Sequence, residues 1–211
     1  MESLDSVDGK VKGKSGGRAN KPTPTRVEIL EAAASIIVES GYEGCTMRAV
    51  ASRVNMKAGS LYYHFPSKED IVGEILNLGL ENLIEYMQAE LGRIPADAPF
   101  EIKIRTATAA HIYCMVGTTQ KYMQVYDHLP PILKRKSRKM REKYAKLWYD
   151  LFADGVWRNE VDANVNLKIL VPYFLGGVNR VPEWLRASGC SSEEVASLAT
   201  DILLKGIHIK R

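Results

Sequence analysis

Between Thr46 and Lys68 the chain gathers side chains suited to one kind of chemistry. Lys57, Ser60, Tyr62, Tyr63 and His64 fall within a few residues of one another, Thr46 and Arg48 just precede them, and Lys68 just follows. These are cations, hydroxyl and imidazole groups and flat rings, and no carboxylate stands among them from Thr46 to Ser67. Such a set suits phosphate oxygens and base edges. The chain lacks a Gly-rich phosphate loop, a nucleophile elbow, a His-Glu-x-x-His motif and a Cys-x-x-Cys pair, so no enzyme is read here and no cofactor is expected.

Three helices must position this set. Thr25 is placed to cap the first, whose apolar face is Ile29, Ala32, Ala33, Ile36 and Ile37. Ser40-Gly41 ends it, and Tyr42 can close the small core. Thr46 caps a second helix from Met47 to about Val54, with Met47, Val50, Ala51 and Val54 inward and Arg48 outward. Asn55-Met56 is the turn. A third helix, Ala58 to Phe65, has only Leu61 and Phe65 as obvious anchors, which leaves its other faces free. Ala58 and Gly59 carry so little side chain that the start of this helix can lie close to a groove floor. Pro66 stops it, and Ser67-Lys68-Glu69-Asp70 opens the next helix with a capping pattern. Lys68 there opposes the helix dipole, a conflict that a nearby phosphate would resolve.

This stretch resembles the DNA-binding module of the TetR family of bacterial transcriptional regulators. The resemblance rests on Ala32-Ala33, Gly41-Tyr42, Thr46-Met47-Arg48-Ala49-Val50-Ala51 and above all Gly59-Ser60-Leu61-Tyr62-Tyr63-His64-Phe65-Pro66-Ser67-Lys68-Glu69. It implies an all-α homodimer: an N-terminal helix-turn-helix module, a C-terminal helical bundle for ligand binding and dimerisation, and double-stranded operator DNA as partner. By position, Thr46 and Lys68 match phosphate contacts, Tyr63 matches an aromatic that packs on the DNA backbone, and Tyr62 and His64 match residues that often touch DNA. Lys57, Ala58 and Ser60 fall where bases are read. The family often has a longer polar side chain at the place of Ala58, so direct readout there is limited to something like a thymine methyl. Lys57, Ser60 and Arg48 are then expected to carry the specificity, together with DNA shape.

The organisation is read as a disordered basic arm at 1–24, the helix-turn-helix module at 25–70 and the body at 71–211. The arm holds five basic residues from Lys10 to Lys21 and no acid among them, within a chain of 211 residues and net charge +4. It either reaches DNA or serves as a solubilising tail. A hydrophobic fraction of 45% is ample for a core. Cys45, Cys114 and Cys190 are too few and too scattered for a disulfide framework and read as small buried hydrophobes. No apolar run nears the roughly 18–20 residues of a membrane span, and no secretion signal is evident, so a soluble cytoplasmic protein without membrane contact is expected.

The body reads as helices only. One runs from Ser67 to Leu91 and would link module to body; others run from Phe100 to Val116, from Lys121 to Leu129 and from Ile132 to Arg158. The segment from Asn164 to Arg180 is apolar on nearly every face and must be covered on every face. A break is expected at Val181-Pro182-Glu183-Trp184-Leu185, before a last helix opened by a capping box at Ser191–Glu194. The last two long helices are chosen for a four-helix dimer interface. His111 and Cys114, at i and i+3, are read as core residues rather than as metal ligands.

Tyr113, Tyr122, Tyr126, Trp148 and Phe174 are the candidate walls of an apolar ligand pocket. Lys134, Arg135 and Arg138 come from a run of eight basic residues with the single acid Glu142, and are candidates to hold the phosphates of an acidic effector. The C-terminal half loosely resembles family members that sense coenzyme A thioesters. Two functions follow: a repressor released by an apolar or amphipathic effector such as an acyl-CoA thioester, or a ligand-independent architectural dimer. An enclosed cavity in the body favours the first, and a solidly packed body favours the second.

Overall fold

The computed structural model describes residues 24–117 and 120–207. The basic arm, apart from Pro24, lies outside the described residues, as do Thr118 and Thr119 of the interruption expected after the second body helix. Among the described residues every regular element is helical.

The N-terminal module comprises α1 (Arg26–Gly44), α2 (Met47–Arg53) and α3 (Ala58–His64). Thr25 caps α1 reciprocally: the Glu28 N–H donates to its hydroxyl at 3.2 Å, and its own N–H donates to the Glu28 carboxylate at 2.6 Å. Gly41 takes a left-handed φ of 74°, which breaks the helical path one turn before its end. The Thr46 hydroxyl accepts from the Ala49 N–H at 3.1 Å and so starts α2. Asn55, at φ 56°, turns the chain from α2 into α3.

The next helix, α4 (Lys68–Leu91), begins at the Ser67 cap and is roughly 36 Å long at 1.5 Å per residue. Its buried stripe serves two cores. Ile71, Val72, Ile75 and Leu76 pack with α1–α3, while Leu80, Leu83, Ile84 and Met87 pack with the body.

The body continues through α5 (Phe100–Val116), α6 (Gln120–Asp127), α7 (Pro131–Lys134), a 3₁₀ turn (Arg135–Ser137), α8 (Arg138–Trp157), α9 (Leu167–Val178), α10 (Val181–Ser188) and α11 (Ser192–Gly206). Three expectations change. The helix expected from Ile132 to Arg158 is divided at the 3₁₀ turn, where Ser137 folds its hydroxyl onto the Lys134 carbonyl at 3.2 Å. The break expected at Val181–Leu185 is itself a helix, because Pro182 stands in the first turn, where its missing N–H costs nothing. Cys190 is exposed rather than buried, since it follows the left-handed Gly189 that ends α10; none of the three cysteines is in a disulfide.

Beyond α4 itself, an apolar contact of α6 joins the body to the module. Tyr122 and Val125 of α6, with Leu129 and Leu133 beyond it, belong to the same apolar cluster as α1–α3. Helix α6 lies so close to α4 that a Cβ on Gly79 would stand 2.8 Å from the Tyr122 Cβ. Gly79 is therefore the residue that permits the approach.

The body core is aromatic and contains one buried imidazole. Trp148, Phe152 and Phe100 are fully buried, and the Trp148 and Phe174 rings meet edge to face at 5.6 Å. His111 is also fully buried, with Nδ1 2.6 Å from the Tyr144 hydroxyl oxygen. Among the described residues no three His, Cys, Asp or Glu side chains come together as a metal site would require. Burial pushes the pKa of the His111 imidazole down to about 4, although the Val178 carbonyl pulls the other way.

Two outcomes follow for stability. Gly79→Ala should destabilise the protein by about 1–3 kcal/mol in urea denaturation through overpacking, whereas Gly59→Ala, which meets nothing, should leave stability unchanged or raise it by up to about 1 kcal/mol. His111 is held neutral, so the unfolded chain binds its proton first and stability falls as pH drops from about 6.5 toward 4, by on the order of 3 kcal/mol in all. Denaturation midpoints measured between about pH 6.5 and 5 should show this slope in the wild type and a flatter one in His111→Gln.

Candidate nucleic-acid interface and ligand cavity

Helix α3 is held from beneath and left bare above. Leu61 and Phe65 are fully buried, while Tyr62 and Tyr63 are exposed, Tyr63 by 90%. Lys57, Gly59 and Ser60 are exposed as well; Ala58 and His64 are half-buried. The Tyr63 ring meets His64 edge-on at 5.9 Å. A tyrosine so uncovered contributes little to the packing of the fold. Thr46 and Arg48 are exposed at the start of α2. Apart from the half-buried Ala58, His64 and Lys68, the sequence-read set is thus exposed on and around the two short helices.

Two clamps hold this region, and neither was read from the sequence. Arg26 lays its guanidinium 4.1 Å over the Phe65 ring, donates to the His64 carbonyl at 3.0 Å and pairs with Glu74 at 2.8 Å. It joins the starts of α1 and α4 to the end of α3. The signal was available: an arginine in the first turn of a helix opposes the dipole and needs a partner. The second clamp is Tyr42, whose hydroxyl donates to Glu69 at 2.6 Å. Burial pushes the Tyr42 hydroxyl up, and the bond from Tyr42 holds Glu69 down. The Lys68 ammonium sits 3.9 Å over the Tyr42 ring, 3.4 Å from its carbonyl and 3.6 Å from Glu43. Here the conflict of Lys68 with the dipole is met by Tyr42 and Glu43.

A cavity of about 450 Å³ lies in the body where α4, α5, α6, the start of α8 and the end of α9 meet. Leu76, Leu80, Met115, Tyr122 and Met123 supply apolar wall, and Gln120, Gln124, Asn179, Arg141 and Arg180 supply polar wall. The candidates from the sequence divide here. Tyr122 and Tyr126 line the cavity. Tyr113 does not: it is half exposed and stacks on Tyr86 at 5.1 Å in a separate surface cleft. Trp148 is sealed in the core, and Phe174 sits between that core and an outer groove.

The basic candidates divide too. The Lys134 ammonium lies 4.7 Å over the Tyr126 ring at the cavity, but Arg135 is exposed off its walls, and Arg138 is exposed and paired with Glu142 at 2.7 Å. The guanidinium at the wall is that of Arg141, 5.3 Å from the Tyr126 ring and 3.2 Å from the Lys134 carbonyl. Arg180, unnoticed in the sequence, lines the cavity with its partner Glu183.

The far side of the body exposes an apolar face. Ile169 and Tyr173 of α9 and Leu198 and Ile202 of α11 are exposed, and a groove lined by Trp184 runs between these helices. The covering that so apolar a helix requires is thus not supplied by the single chain.

Comparison with known proteins agrees with this architecture. The profile described as "Bacterial regulatory proteins, tetR family" matches residues 29–75, and that of the "Tetracyclin repressor-like, C-terminal domain" matches residues 98–207, just over half of the chain. The HTH-type transcriptional repressor KstR2 of Mycolicibacterium smegmatis is 29% identical over 199 residues, covering 89% of this chain and 93% of the relative. Among solved structures, the TetR family transcriptional regulator PfmR from Thermus thermophilus is similar with a TM-score of 0.72 and 26% identity, over 90% of this chain and all of that one. The regulator FadR from Bacillus subtilis, in complex with stearoyl-CoA, has a TM-score of 0.75 at 18% identity, over 87% of this chain and all of that one. Bare recognition helix, long α4 and helical body, matched along both halves of the chain, are those of one group: the protein belongs to the TetR family of bacterial transcriptional regulators.

Proposed function

We propose that the protein is an effector-released repressor that grips a near-palindromic operator as a homodimer. The observation that carries this reading is a pair of shared residues. Tyr122 of α6 and Leu76 of α4 belong to the apolar cluster of the DNA-binding module and also line the cavity. An occupant that displaces them shifts α6, and α6 bears on α4 through the close approach at Gly79. In a dimer, tilting α4 changes the spacing of the two α3 helices and breaks their match to successive major grooves. Although half open rather than enclosed, a cavity that shares Tyr122 and Leu76 with the module supports a ligand-responsive regulator over an architectural dimer.

At the DNA, Thr46 and Lys68 would bind phosphates, Lys68 by turning from Glu43 to the anion. Tyr63 would pack on the backbone beside Tyr62 and His64, Gly59 would allow close approach, and Lys57, Ala58, Ser60 and Arg48 would face the bases. The uncovered faces of α9 and α11 would close against their symmetry mates as a four-helix contact. For the effector, the apolar wall together with Arg141, Arg180 and Lys134 favours an apolar acid carried as its coenzyme A thioester, as held by the Bacillus subtilis FadR. Arg135 and Arg138 point to no such role.

Selection from a random duplex pool should enrich near-palindromic sites. On a site so obtained, Tyr63→Ala and Lys68→Ala should weaken binding about equally for specific and random DNA, while Lys57→Ala and Ser60→Ala should cost about 1–3 kcal/mol of discrimination. Uniform loss for the latter pair in competition titrations would remove them from base reading. Arg141→Ala should raise the stearoyl-CoA concentration needed for operator release about tenfold, with operator affinity unchanged, and Arg135→Ala should not. Equal responses of the two variants would move the thioester phosphates elsewhere.

A further inference from the structure

Beyond the cavity wall lie two buried ring nitrogens that the fold leaves without a hydrogen bond. Met115 and Arg141 line its wall; His111 is one turn further along α5, and Tyr144 and Trp148 are one and two turns further along α8. These three rings form one cluster, with His111 to Tyr144 and His111 to Trp148 both at 5.9 Å between centroids. His111 Nε2 and Trp148 Nε1 are buried and make no hydrogen bond. The Val178 carbonyl and the Tyr144 hydroxyl influence this cluster without closing bonds to those two nitrogens.

The hydrogen-bond partners decide the proton positions. The Tyr144 hydroxyl oxygen lies 2.6 Å from His111 Nδ1 and 3.9 Å from the Met87 sulfur, with the Trp148 indole also beside it. A thioether is a weak acceptor, so the hydroxyl donates to Nδ1 and the imidazole proton resides on Nε2. Both unanswered atoms are then N–H donors on adjacent rings, in a core of otherwise apolar side chains. A buried donor without an acceptor is costly, and sites that keep one commonly serve a ligand. Met87, Met115, Met123 and Met140, all in or against this core or on the cavity wall, are the flexible side chains that can yield space between the cavity and the rings.

We propose that His111 Nε2–H and Trp148 Nε1–H recognise a carbonyl or hydroxyl oxygen carried within the apolar part of the effector. The effector class is therefore an oxygenated acyl acid rather than a plain saturated one. Its thioester end stays at Arg141 and Arg180, and its oxygen-bearing portion enters between α5, α8 and α9. This rests on the effector-release reading above and assigns the specificity of the same site.

The test compares operator release by dodecanoyl-CoA with release by its 6-oxo, 8-oxo and 10-oxo counterparts. At least one oxo ester should release the wild type at about tenfold lower concentration than the plain ester. Trp148→Phe should reduce that advantage at least threefold while moving the plain ester less than twofold, and adding His111→Phe should abolish it. Should the double variant fail to fold, Trp148→Phe alone decides. Equal release by plain and oxo esters overturns the ring site but leaves acyl-CoA sensing intact. Release by no ester overturns both. A Trp148→Phe protein that melts earlier yet keeps the full oxo advantage assigns the donors to a buried water and overturns the proposal.

Discussion

The packing of α6 onto α4 is the contact on which the rest of the architecture depends. It needs a glycine, because any side chain at position 79 would collide with the Tyr122 Cβ. It places the Tyr122 ring in the apolar cluster of the N-terminal module and on the wall of the body cavity. A core and a cavity wall that share a side chain cannot rearrange independently, since close-packed interiors transmit displacement rather than absorb it. The cavity is therefore part of the same packed unit as α1–α3, and α4, with its lower stripe in one core and its upper stripe in the other, is the rigid member between them.

The recognition face depends on the opposite arrangement. Helix α3 is only seven residues long and is too short to be stable alone. Leu61 and Phe65 anchor it from below, and Arg26 binds its C-terminal end to α1 and α4. With its stability supplied by neighbours, its remaining positions are released from packing and can be given to Tyr62, Tyr63 and Ser60. The lysine that opens the next helix lies over the Tyr42 ring.

Much of the fold was legible because it follows from local rules. Thr25, Thr46, Ser67 and Ser191 each start a helix where a short hydroxyl precedes an apolar period, and each accepts the backbone bond that such a position implies. The bare face of α3 was legible for the same reason, as only two of its side chains were apolar enough to anchor it. What failed were readings in which local rules compete. Pro182 was taken for a breaker when it stands at a helix start, and the basic run was taken for one continuous helix when Ser137 bends it. The pocket candidates were chosen by residue type, and type does not separate Tyr122 on the wall from Trp148 in the core or Tyr113 on the surface.

The sequence by itself determined the helical class, the order of the helices and the family, because periodicity, caps and turn residues act over a few positions. Only the tertiary structure decided which arginines reach the cavity, that α6 docks on the DNA-binding module, and that His111 and Trp148 keep unanswered donors one and two turns from the cavity wall. These depend on the rotation and depth of helices far apart in the chain. Less than one turn of α8 separates the cavity arginine, Arg141, from one paired in solvent, Arg138, and the rotation of the helix after the 3₁₀ turn sets which of them faces the wall.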